Sequence, residues 1–114
     1  PAAQLVADAV ADAGAASVGS QGLSSIGAVM GANSPADAQQ LRARMPSAWF
    51  LVPGVGAQGG NPRDALAGTR PDGLGCVVNS SRGVLYPRKG ETDPDPQVAI
   101  RDRIHAHAER FSLR

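Results

Sequence analysis

The chain has 114 residues, which is room for one domain at most. Its formal net charge of +1 gives no electrostatic case for nucleic acid or an anionic membrane surface, and 4% aromatic residues leave too few rings for a base-stacking platform. One cysteine, Cys76, excludes an internal disulfide and a thiolate metal cluster, and its apolar neighbours make it a small buried hydrophobe. No apolar run approaches the ~20 residues of a membrane span and no secretory leader is visible, so a cytoplasmic soluble protein is the default expectation. The first residue is Pro1 rather than methionine, which fits processing, trimming or origin as a piece of a longer polypeptide.

In chain order, Gln4–Ala13 is alanine-rich, with Leu5, Val6, Val10 and Ala13 at helical spacing and Gly14 as a natural stop. Val18–Ser25 reads as a loop. Ile26–Ala32 is a charge-free apolar run, expected to be a strand of a parallel sheet covered on both faces. Ser34-Pro35 with Asp37 marks a helix start, Ala38, Leu41 and Met45 its inward face, and Pro46 its end. Trp49–Val52 is a second buried strand, stopped by Pro53.

Glycines 54, 56, 59 and 60 follow, with Gln58 as the only long polar side chain among them. Asn61-Pro62 then starts a short helix that ends at Gly68. Strand, glycine loop and helix start in that order bring free backbone N–H groups together, which suits an anion such as phosphate. Arg70–Gly73 is a turn, and Leu74–Val78 a third buried strand. That strand runs into the polar loop Asn79–Gly83, after which Val84–Tyr86 is a short apolar segment. Residues 88–94 read as a solvated loop. Asp95-Pro96 starts the last helix, whose inward face is expected to be Ile100, Ile104, Ala108 and Phe111. His105 and His107, two apart on that helix, read as ordinary surface groups rather than metal ligands.

The alternation α, β, α, β, α, β, α predicts right-handed βαβ crossovers and a parallel sheet. Parallel sheets place ligands at the carboxyl ends of their strands, and both special loops lie there on consecutive strands. The first supplies Gln58 and the second Arg82, whose guanidinium can grip phosphate with paired donors, with the serines at 80 and 81 beside it. The loop also spells Gly54-Val55-Gly56-Ala57-Gln58-Gly59, a formal dinucleotide pattern. The short helix after it, and a next strand ending at Asn79 rather than an acid, count against that use.

Three stretches, Gly27–Ala32, Phe50–Gly60 and Val77–Gly83, resemble orotidine 5′-phosphate decarboxylase, in the bacterial subgroup found in mycobacteria and their relatives. The resemblance covers most of the chain. It implies the C-terminal part of an α/β (β/α)8 TIM barrel, strands six to eight with their helices, with residues 1–114 forming one partial barrel domain. It implies a homodimer that needs no cofactor and converts orotidine 5′-phosphate to UMP and carbon dioxide in pyrimidine biosynthesis. By the same resemblance Gln58 and Arg82 match phosphate ligands, Gly56, Gly59 and Ser81 line the phosphate cradle, and Pro53 and Val55 lie beside the pyrimidine.

The Asp-x-Lys-x-x-Asp array that carries the family's chemistry does not occur in this sequence, whose one lysine is Lys89. The chain alone is therefore expected to be inactive, and to need the N-terminal part of the same barrel as its partner. Three strands would leave two open edges and half of their apolar surface uncovered. Two other readings stay open: a fragment of another sugar-phosphate barrel enzyme, and a non-catalytic phosphate-binding half-barrel.

Overall fold

The computed structural model describes residues 1–53, 61–86, 90–91 and 95–112. Helix α1 covers Ala2–Gly14 and continues into a 3-10 turn, Ala15–Ser17. Strand β1, Gly27–Val29, leads to helix α2, Pro35–Arg44, and strand β2, Trp49–Pro53. The single-turn helix α3, Pro62–Ala65, precedes strand β3, Cys76–Asn79. A second single turn, α4, Arg82–Leu85, precedes the last helix, α5, Pro96–Arg110. Three cap-plus-proline starts behave as their chemistry requires. Ser34 Oγ accepts from the Asp37 N–H at 3.4 Å, Asn61 Oδ1 from Arg63 at 3.0 Å and Asp95 Oδ1 from Gln97 at 2.9 Å.

The strands form one parallel sheet in the order β1-β2-β3. The register places Ala28, Phe50 and Cys76 in one row and Val29, Leu51 and Val77 in the next. Because side chains alternate along a strand, these two rows face opposite sides. The first row is covered by helices: Phe50 is 0% exposed and Val52 2%, in a core with Ala7, Met30, Ala38, Met45, Ala48 and Ala65. The second row is bare, with Val29 69%, Leu51 40% and Val77 47% exposed. Helices cover one face only, as expected of three strands without the rest of a barrel, and not both faces as the apolar run 26–32 suggested. Among the described residues β1 and β3 are open edges. The radius of gyration, 16.0 Å, exceeds the roughly 13 Å of a compact chain of similar length, as an unclosed slab should.

Other expectations are corrected locally. The run 26–32 gives only the three-residue strand Gly27–Val29. Helix α1 buries Ala7 and Gly14, with Val10 and Ala11 partly covered, and leaves Leu5 and Val6 exposed. Gly14 is not a left-handed stop; it stays helical, and a Cβ there would lie 2.7 Å from Ser24 Oγ. Close approach, not turn geometry, explains that glycine. The polar loop ends at Ser81, and Arg82 opens α4, so 84–86 is not a separate apolar segment.

On α5 the buried residues are Ala99 and Arg103, the latter 6% exposed, whereas Ile104 is 50% exposed. The inward stripe is displaced by about one residue from the expected Ile100/Ile104/Ala108 row. The displacement has a polar cause, because Arg103 finds the carbonyl of Val84 at 2.7 Å and Glu91 Oε1 at 2.6 Å.

Candidate functional site

All three strands point the same way, so Pro53 and Asn79 close the same end of the sheet, paired in register. Period-two alternation sets Pro53 on the bare face with Leu51, and Asn79 there with Val77. Ser80, Ser81 and Arg82 follow directly. Ser81 Oγ is 3.4 Å from Asn79 Oδ1, and Ser80 Oγ is 3.3 Å from His107 Nε2. Arg82 is exposed at the first position of α4, and its side chain has no ion-pair or hydrogen-bond partner among the described residues. Gly56, Gln58, Gly59 and Val55 lie outside the described residues.

The opposite end of the sheet is built differently. Arg42 donates to the carbonyls of Gly68 at 2.7 Å, Ala48 at 2.7 Å and Gly75 at 2.9 Å, and also reaches Met45 and Pro46. Burial pushes its guanidinium pKa down from the usual value, with Cys76 opposing the shift. Arg70 donates to the Gly22 carbonyl at 2.9 Å and pairs with Asp72 at 2.6 Å. These two arginines at the amino ends of the strands spend their donors on the protein. Arg82, at the carboxyl ends, keeps a planar fork of donors available for an anion.

An open hollow of about 450 Å³ lies on the helix side of β3, lined by apolar groups such as Leu66, Val78 and Phe111 together with Ser80 and His107. Among the described residues that line it there is no lysine or arginine. Among the described residues no group of three His, Cys, Asp or Glu side chains could hold a metal, and no helix is long and apolar enough to cross a membrane. His105 is exposed as expected, but His107 is not a surface group: it is half-buried, and its Nδ1 is shut from solvent. Sequence reasoning also passed over Arg103. The signal available was the spacing of 103 and 107, one helical turn apart in phase with Ala99.

No protein-family model matches the chain. Curated relatives do. It is 38% identical over 92 residues to the orotidine 5′-phosphate decarboxylase of Caldicellulosiruptor bescii, covering 81% of this chain and 30% of that protein. This chain is homologous to part of orotidine 5′-phosphate decarboxylase. With the Rhodopirellula baltica decarboxylase the identity is 41% over 88 residues, 77% of this chain and 29% of the relative. The Leishmania donovani OMP decarboxylase structure superposes with a TM-score of 0.60 at 31% identity, covering 96% of this chain and 38% of that one. The parallel sheet and its helices are thus a piece of the (β/α)8 barrel of the decarboxylases. The chain spans about a third of the length of the curated relatives it matches.

The matched stretch includes both loops whatever its ends. With 92 of 114 residues aligned, at most 22 lie outside, so residues 23–92 are always inside. That interval holds Gly27–Ala32, Phe50–Gly60 and Val77–Gly83, the stretches that carry the decarboxylase resemblance.

Proposed function

We propose that this chain supplies the sixth, seventh and eighth strands of an orotidine 5′-phosphate decarboxylase, and with them the site for the substrate's phosphate. Residues 1–114 act as one partial barrel unit, completed by strands that carry the Asp-x-Lys-x-x-Asp array. The single observation behind this reading is Arg82, exposed at the carboxyl end of β3 with no side-chain partner among the described residues, within the stretch matched to the decarboxylases. Arg82 and Gln58 hold the phosphate, while Gly56, Gly59 and Ser81 let it approach the backbone. Pro53, on the bare face with Leu51, and Val55 flank the pyrimidine. The assembled enzyme works as a homodimer in the cytoplasm and releases UMP and carbon dioxide.

The phosphate is remote from the carbon that loses carbon dioxide. Its binding energy serves to hold the closed site, so it influences turnover as well as affinity. The lysine-bearing array protonates that carbon, and nothing in residues 1–114 takes its place.

A chimera tests the reading. The corresponding third of a working relative is replaced by this chain, and the fusion is placed in a strain that lacks the decarboxylase. Growth without added pyrimidine is expected. No growth from a well-expressed fusion, when the relative's own third restores it, would overturn the reading.

A further inference from the structure

Arg82 stands on α4, a helix of four residues, and one turn has almost no stability of its own. What fixes its direction must come from outside it. Two side chains of α5, Arg103 and His107, reach it from beneath, one turn apart on the same helix face. Arg103 Nε donates to the Val84 carbonyl at 2.7 Å, one of the last carbonyls of α4, which have no partner within the helix. Its Nη1 is held by Glu91 at 2.6 Å, so the guanidinium itself is fixed. His107 Nε2 lies 3.3 Å from Ser80 Oγ, two residues before Arg82. The same ring atom lies against Gly83, where a Cβ would stand only 2.6 Å from it. His107 Nδ1 is buried with no hydrogen-bond partner among the described residues, so only the Nε2 edge of the ring is used.

We propose that His107 and Arg103 are positioning residues that clamp the segment 80–84 and so aim Arg82 at the substrate's phosphate. The inference rests on the assignment of Arg82 to phosphate made above. Neither side chain touches the phosphate. Both act through the backbone and hydroxyl that carry Arg82. A ring that merely fills space behind β3 would support the fold equally for every ligand. A clamp matters only where Arg82 has something to hold.

The experiment measures kcat/KM for orotidine 5′-phosphate and for orotidine, which lacks the phosphate, in a complete barrel containing this chain. His107→Ala is expected to lose about tenfold on the phosphorylated substrate and less than about twofold on orotidine. In an Arg82→Ala background, His107→Ala is expected to add less than about twofold, because its effect passes through Arg82. His107→Gln, whose amide reaches the place of Nε2, restores most of the loss. His107→Asn, whose amide mimics the unused Nδ1, does not. Equal losses on both substrates, additive losses with Arg82→Ala, or equal rescue by Gln and Asn would each overturn the clamp. If Arg82→Ala costs tens-fold or more while His107→Ala costs nothing, the clamp alone fails. If Arg82→Ala costs nothing, the phosphate assignment fails and the clamp with it.

Discussion

The guanidinium carbon of Arg42 sits 3.7 Å above the centre of the Phe50 ring, the one large side chain that is wholly buried among the described residues. From there its nitrogens tie the end of α2 to carbonyls just before β2 and β3. A flat cation over an aromatic face, with its edges spent on carbonyls, locks the amino end of the sheet. Arg42→Ala would strand several of these carbonyls at once. A loss of about 3 kcal/mol or more is expected by denaturant titration of the complete barrel. Arg42→Lys should recover less than half, since an ammonium has no fork. A loss under about 1 kcal/mol for the alanine variant would show that water replaces the guanidinium.

Gly68 is held by the same ring. A Cβ there would lie 2.7 Å from Phe50 Cδ2 and 2.9 Å from Cε2. Phe50 has little room to move, because it is wholly buried with Arg42 over its ring. Gly68→Ala is therefore expected to destabilise by about 2 kcal/mol, the usual cost of overpacking. Gly31, with nothing within 4 Å of a built Cβ, is the control, and Gly31→Ala should change stability by less than about 0.5 kcal/mol.

The row Val29–Leu51–Val77 leaves a bare apolar face between two open edges. Alone, the chain is expected to self-associate or unfold, as exposed edges and apolar faces promote. Sedimentation across a concentration series reads this directly. The double variant Val29→Lys and Val77→Lys should shift the population toward monomer. A sharp, cooperative melt from a monomer of the unmodified chain would contradict the claim. Trp49, the single tryptophan, lies beside this face and is partly exposed. Its emission should move to shorter wavelength when the remaining strands cover the sheet.

Much of this fold was legible because its signals are local. Ser34-Pro35, Asn61-Pro62 and Asp95-Pro96 each announce a helix, and each caps one. The α/β alternation and the parallel sheet followed from them. What depended on distant partners was not legible. Arg103 turns inward because the Val84 carbonyl and Glu91 meet it, and no pattern within α5 states that. Leu5 and Val6 have the right spacing for a core, yet only the face of Ala7 and Gly14 meets other elements. The site divides in the same way. Arg82 stands out in sequence by its serine-glycine neighbours, whereas His107 becomes visible only once α5 crosses behind Ser80.

The central claim is that Arg82 holds the substrate's phosphate. A charge-assisted hydrogen bond contributes about 1.5–3 kcal/mol, so losing two such bonds costs at least about 100-fold at ~1.4 kcal/mol per decade. The first measurement is therefore kcat/KM for orotidine 5′-phosphate in a complete barrel carrying this chain, with Arg82 and with Arg82→Ala. The account predicts a loss of at least about 100-fold with the melting temperature unchanged; a loss under about threefold would contradict it.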